Sequence, residues 1–385
     1  MRKVLFLLFI SIAQISVSQI DTTKKLQISL ITCSPGDELY SIFGHTAIRI
    51  IDSTNYSDII YNYGTFDFDD PNFLLKFTRG KLDYFLSTDE ANHFFAAYQN
   101  ENRSITEQIL QLTNFEKNNI QQALIKNLAG NNKFYKYDFL FDNCTTRIRD
   151  LLKKNTSISY SKKLVKDRTT FRNMLYTYLD AGGMCWSKLG IDILLGSKID
   201  KNVTIEQSSF LPDYLMLAID SFNLQKNFVA NKKSYLIPVV ATSQREYIPL
   251  MVFSVLFLVM IFLSISKNKI LQKIFYFLSI FLIFITGIFG CVLIFMWFGT
   301  DHKSCGNNYN LLWALPTNLF ALFLINGNQI NSNKYFKTVF LISFILLIFW
   351  FFLPQQFNIS LIPLVLTMML CYRKFAFNKT MSNNF

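Results

Sequence analysis

Hydrophobic positions follow two rhythms along the 385 residues. In the first part they alternate with polar ones or recur every three to four residues, whereas after residue 247 they run almost unbroken. The alternating stretches predict strands at residues 26–33, 45–51, 59–63, 81–87 and 104–112, bounded by turn residues such as Ser34-Pro35-Gly36-Asp37. Helical spacing predicts a short stretch at 38–43, a helical piece at 89–98, and a helix with Asn114 as its N-cap that runs to about residue 128. Glu116 falls in the first turn of that helix and Gly130 just past its end. Strands and helices mixed in this order, with no internal repeat, predict an α+β domain.

The unbroken runs at 247–266, 274–298, 311–325, 335–353 and 357–372 predict five transmembrane helices, an all-α bundle over residues 247–385. Pro316 and Pro363 interrupt the third and the fifth. At the other end, residues 1–18 combine basic Arg2 and Lys3, an apolar core and small Ser16-Val17-Ser18. These are the parts of a secretory signal peptide, so residues 19–246 are expected to be exported as one domain. The loops agree with that orientation. Lys267, Lys269 and Lys273, then Lys334 and Lys337, then Arg373, Lys374 and Lys379 all fall on the cytoplasmic side, where short loops collect basic residues.

Charge sharpens this picture. The net charge of +12 invites a nucleic-acid partner, but residues 247–385 hold nine bases against one acid, and residues 19–246 are nearly balanced at 27 bases to 25 acids. The excess marks topology, and no nucleic-acid partner is expected. With 51% hydrophobic residues, 40 of them Phe, the composition excludes a fully soluble chain and a disordered one.

Candidate chemistry concentrates in Asp142-Asn143-Cys144-Thr145-Thr146-Arg147, where Asp142 or Asn143 suits an N-cap and Ile148, Leu151 and Leu152 recur at helical spacing. Cys144 is thus expected in the first turn of a helix, where backbone N–H groups and the helix dipole favour a thiolate and can hold an oxyanion. Of three histidines, His45 opens a predicted strand directly after Gly44 and supplies the base a thiol nucleophile needs. Arg147, three residues after Cys144, and Arg49, two strand positions beyond His45, are candidate phosphate holders, with ordinary ion pairs as the blander role for each. His302, beside Asp301 in an outside loop, is a candidate for substrate positioning. No metal site is expected from so few ligands, and no cofactor. Residues 66–77 mix aromatics with acids and suit either core packing or a loop dipping into lipid headgroups. An oxidising compartment permits, without requiring, a Cys33–Cys185 bridge.

A His-bearing strand followed about 100 residues later by a Cys at a helix start resembles circularly permuted papain-like folds, such as lecithin:retinol acyltransferase relatives, and inverts the order of ordinary NlpC-type peptidases. More specifically, the stretch from Thr32-Cys33-Ser34-Pro35-Gly36-Asp37 through Gly44-His45-Thr46-Ala47-Ile48-Arg49, with Tyr61-Asn62-Tyr63-Gly64-Thr65-Phe66 and the Cys144 motif, is similar to the Bacteroidota lipoprotein N-acyltransferase (Lnb) family. The resemblance implies an exported catalytic domain on a multi-pass region of the bacterial inner (cytoplasmic) membrane, facing the periplasm. It implies an acyltransferase that moves a fatty acyl chain from a membrane phospholipid, through a Cys144 thioester, to the N-terminal amine of a diacylated lipoprotein. In permuted folds of this type the group orienting the histidine lies on the next strand. Asn62 is the choice here, although period-two geometry alone does not separate it from Tyr61 and Tyr63. A membrane-tethered hydrolase of cell-wall peptides would need only one span, and a non-enzymatic scaffold leaves the Cys144–His45 pairing accidental.

Overall fold

The computed structural model describes residues 25–160, 162–235, 247–325 and 329–377. The expected signal peptide at 1–18 lies outside them. The exported part contains β1 (Leu26–Cys33), β2 (His45–Asp52), β3 (Ser57–Thr65), α1 (Phe73–Thr78), β4 (Asp83–Glu90), α2 (Ala91–Asn100), β5 (Ile105–Leu110), α3 (Asn114–Leu128), β6 (Phe134–Lys136), α4 (Cys144–Asn155), α5 (Phe171–Ala181), α6 (Cys185–Leu194), α7 (Pro212–Lys226) and β7 (Val229–Tyr235). The tail contains α8 (Ile248–Ile265), α9 (Lys269–Phe298), α10 (Asn318–Ile325), α11 (Gln329–Ile348) and α12 (Leu361–Phe377).

The strands form one antiparallel sheet in the order β6-β4-β3-β2-β1-β5-β7. Strand alternation divides its side chains. Ile28, Leu30, Ile48 and Ile50 pack with Ile120 and Leu124 of α3, Ile148 and Leu152 of α4, and Leu215 and Ile219 of α7. Ile31, Cys33, Ala47 and Ile60 pack on the other face with Ala91 and Phe94 of α2. The result is an α+β domain with helices on both faces of its sheet. A second cluster joins Phe171, Met174 and Leu175 of α5 to Ile42, Phe43 and Phe210, and makes a lobe beside the sheet.

Several expectations shift. Residues 38–43 form turns rather than a helix, with Ile42 N donating to Glu38 O at 2.8 Å. Asn114, expected as the N-cap, is instead the first residue of α3; the cap is Thr113, whose hydroxyl and Glu116 complete a reciprocal capping box. Cys33 and Cys185 are both free thiols. The permitted bridge is not formed, because Cys33 is packed into the α2-side core.

In the tail, α8 and α9 are long and apolar enough to cross a bilayer by length and composition. The third expected span is broken: a 3-10 turn at Tyr309–Leu312 precedes Pro316, and the helix resumes only as the eight residues of α10, about 12 Å of rise. Leu263, Phe275, Phe336, Tyr372 and Phe375 cluster at the end of the bundle where Lys267, Lys269, Lys273, Lys334, Lys337, Arg373 and Lys374 lie. Leu293, Trp313, Trp350 and Leu361 cluster at the other end, together with Leu189 of α6. The exported domain therefore docks on the end opposite the basic residues.

That junction is polar at its centre. The Asp192 carboxylate, fully buried on α6, accepts from Arg172 at 2.7 Å, Tyr176 at 2.7 Å and Asn358 at 2.8 Å, and Arg172 also pairs with Asp200 at 2.7 Å. Asn310 donates to the Asp192 carbonyl at 2.9 Å, and Gly196 N donates to Ser304 O at 3.0 Å. A Cβ on Gly196 would lie 2.2 Å from Gly306 O, so glycine is required by the close approach of the two backbones. Removing one member of a fully buried ion pair leaves the other charge uncompensated, which costs about 3–5 kcal/mol. Arg172→Ala, which takes the cation from both Asp192 and Asp200, is therefore expected to destabilise the protein by that amount, read as a lowered thermal midpoint of the detergent-solubilised chain. An exposed control such as Asp167→Ala should leave the midpoint nearly unchanged.

Candidate active site

Local sequence fixes where the thiol sits. Asn143 caps α4: its side-chain oxygen accepts from Thr146 N at 2.8 Å, while Asn143 N donates to Thr146 Oγ1 at 2.8 Å. The Asn143 amide donates to Phe139 O and Phe210 O at 2.7 and 3.0 Å and ties the cap to two neighbouring segments. Cys144 is thus the first residue of the helix, and its N–H and that of Thr145 point out of the end of the helix with no intrahelical acceptor.

His45 starts β2 because Gly44 turns the chain with φ +76, where a Cβ would lie 2.6 Å from Cys33 O. The strand and helix are joined next to the pair, where the Thr46 and Thr145 hydroxyls, 99 residues apart, meet at 2.9 Å. His45 Nε2 lies 3.2 Å from Asn62 Oδ1. With a carbonyl oxygen as acceptor, Nε2 carries the proton, which leaves Nδ1 for the thiol.

The electrostatics follow from burial set against partners. Cys144 is 8% exposed. Burial opposes its ionisation, but the imidazolium charge, a hydrogen bond with His45, and hydrogen bonds from Thr46 N–H and the Thr145 hydroxyl outweigh it, and the thiol titrates below its ordinary range. Burial likewise pushes the His45 imidazole down, yet the thiolate charge, the hydrogen bond to it and the Asn62 oxygen carry it above its usual value. Thiolate and imidazolium stabilise each other. Cys33, paired with His45 across β1 and β2, has no such balance, and burial pushes it up to about 12.

Other groups surround the sulfur. Gly64, with φ +94 beside an irregularity between β3 and β4, leaves an open spot: a Cβ there would lie 3.6 Å from Cys144 Cβ, 3.5 Å from the Tyr137 ring and 3.9 Å from Tyr135 Oη. Tyr137 hydrogen-bonds the thiol, and burial followed by the thiolate charge holds its phenol well above the usual range. Tyr135 Oη is buried with no hydrogen-bond partner among the described residues. Sequence reasoning missed Thr46, Thr145, Tyr135 and Tyr137. The signal for the tyrosines is the alternation Phe134-Tyr135-Lys136-Tyr137, too short to stand out.

The structure brings Cys144, His45 and Asn62 together, sets Arg147 behind Tyr135, and leaves Arg49 and His302 in other surroundings. The Arg147 guanidinium is held by Asp142 at 2.6 and 2.8 Å and stacks 3.5 Å over the Tyr135 ring. Arg49 pairs with Asp58 at 2.6 Å and Glu107 at 3.1 Å on the α2 side of the sheet. His302 Nε2 lies 3.1 Å from Phe77 O, at the end of α1, so it links the outside loop to the exported domain.

Fold and site define a membrane protein whose exported α+β domain carries a polarised cysteine beside a histidine. The comparison with protein families gives it a place: the model described as the Lnb N-terminal periplasmic domain matches residues 16–177, and that described as the Lnb transmembrane domain matches residues 241–380. The chain belongs to the Lnb family, and its N-terminal domain is periplasmic. No curated protein and no solved structure matches it.

Alkylation by iodoacetamide, followed by peptide mass spectrometry across pH, reads the Cys144 thiolate directly. Its rate should climb at a pH below that of an ordinary thiol. In His45→Ala, burial is no longer opposed by the imidazolium, and the rise should move to higher pH. Cys33 should stay unreactive at neutral pH in both.

Proposed function

We propose that the protein is a lipoprotein N-acyltransferase that uses Cys144 as nucleophile, His45 as acid–base and Asn62 as the group that orients the imidazole, within a circularly permuted papain-like domain. The observation that carries this reading is the Cys144–His45–Asn62 contact inside a periplasmic domain whose family is associated with acyl transfer to lipoproteins. Residues 247–385 act as a multi-pass anchor in the inner membrane with five crossings, the third built from the broken segment 309–325. Docking of the periplasmic domain through the Asp192 network keeps the site at a fixed height above its lipid substrate, an arrangement a cell-wall peptidase would not need.

In the first half-reaction the Cys144 thiolate adds to the ester carbonyl of a phospholipid. The oxyanion is met by the first N–H groups of α4 and by the phenols of Tyr135 and Tyr137, and no metal is needed. As the tetrahedral adduct collapses, the C–O bond breaks, the leaving alkoxide takes a proton from the His45 imidazolium, and a lysophospholipid departs. In the second, the α-amine of a diacylglyceryl-cysteine attacks the thioester and His45 takes a proton from it. The C–S bond then breaks to give an amide and restore the thiolate, and the kinetics are ping-pong. Burial around Cys144 slows hydrolysis of the thioester while the acceptor arrives.

Cys144→Ala should leave the protein folded and inserted while abolishing N-acylation in cells that lack any other such activity, and His45→Ala should lower it by about 10²–10⁴-fold. Mass spectrometry of lipoprotein N-terminal peptides checks both. Triacylated peptides from the Cys144→Ala strain would exclude Cys144 as nucleophile.

A further inference from the structure

A line of aromatic rings runs from the thiol to the surface of the domain. Tyr137, hydrogen-bonded to Cys144, stacks on Tyr84 with centroids 4.5 Å apart. Tyr84 meets Phe66 edge-on at 5.2 Å, Phe66 stacks on Phe73 at 5.8 Å, and Phe73 stacks on Phe77 at 5.9 Å. The outer end is bare. No residue of α1 is buried, and Leu74, Leu75 and Phe77 are 76%, 57% and 50% exposed. Adjacent apolar side chains so uncovered mark a surface that meets another apolar phase.

The position of α1 identifies that phase. Asp301 N donates to Arg79 O at 2.9 Å, His302 lies 3.1 Å from Phe77 O, and Gly80, with φ +68, leaves room for both loop residues within 3.3 Å of where its Cβ would be. Asp301 follows the end of α9 by three residues, and α9 is a 30-residue helix containing an 18-residue window of mean hydropathy 2.8. α1 is therefore pinned near the end of α9, where the helix would leave the hydrocarbon and whose last residue, Phe298, is itself 72% exposed. Residues 66–81 contain three acids and three bases, so electrostatic attraction to an anionic surface is not what holds them there. Arg79 and Lys81 make no ion pair among the described residues and follow directly on the apolar ones, as side chains do that snorkel to headgroup phosphates.

We propose that α1 dips into the periplasmic leaflet of the membrane, and that the line Phe73–Phe66–Tyr84–Tyr137 is the surface along which a phospholipid acyl chain reaches Cys144. The first half stands on geometry alone, and the second rests on the acyl-transfer reading above. A tryptophan placed at an exposed position reports lipid contact through quenching by phospholipids brominated on their acyl chains. Full-length Leu75→Trp in phosphatidylcholine–phosphatidylethanolamine vesicles should add emission that the brominated lipid quenches at least twofold. Leu224→Trp on α7, by the β5–β7 edge of the sheet, should add emission that is not quenched. Added emission from Leu75→Trp as unquenched as that from Leu224→Trp would overturn the insertion of α1. In the same vesicles, Leu74→Asp combined with Leu75→Asp should slow acylation of Cys144 by at least tenfold, and a rate within twofold of wild type would overturn the entry path. A wild-type protein that takes up no acyl group would instead refute the acyl-transfer reading, with the quenching result unaffected.

Discussion

The periplasmic domain rests on one electrostatic balance: the Cys144 thiol and the His45 imidazole each favour the other's charged form where water hardly reaches. Cys144 is 8% exposed, and a buried thiol left alone titrates upward, as Cys33 does. The opposite direction at Cys144 comes first from the charge and hydrogen bond of His45, then from the Thr46 N–H and the Thr145 hydroxyl. Each has its own structural prerequisite. Asn143 stops α4 at the right residue, Gly44 lets β2 begin at His45, and the pairing of β2 with β3 puts Asn62 behind the ring. The sheet's order thus serves the pair, since the central strands carry the histidine and its partner while α4 delivers the sulfur from the helical layer.

A second constraint couples that site to the bilayer. The buried Arg172–Asp192–Asp200 cluster and the backbone contacts of Gly196 join the periplasmic lobe to the loops at the outer end of the helical bundle. Polar groups at such a junction lose hydration unless every partner is present, so the geometry has one good solution and the domain does not pivot freely. The outside loop makes the same kind of attachment a second time at α1, through Asp301 and His302. Two separated attachments constrain orientation as well as distance.

The sequence made the architecture legible wherever a local rule was strong. The alternation of β1 and β2 is reproduced, and so are the helix start at Cys144 and the apolar helices α8 and α9. What stayed hidden depends on tertiary partners. β7, rich in Lys and exposed, is a strand because β5 offers it an edge. The charges of Arg147 and Arg49 resemble ligand-binding groups until Asp142, Asp58 and Glu107 are seen beside them. Tyr137 and Tyr135 have no pattern that announces proximity to a cysteine, and the break at Pro316 shortens a helix that hydropathy alone extends.

The most direct test of the central claim is the intact mass of the purified protein after incubation with phospholipid vesicles. The account predicts a single added acyl mass on Cys144, removed by neutral hydroxylamine and discharged by an amine-bearing diacylated lipopeptide with formation of its N-acyl product. Formation of N-acyl lipopeptide with no acyl adduct on Cys144 at any time, or in a protein lacking that thiol, would contradict it.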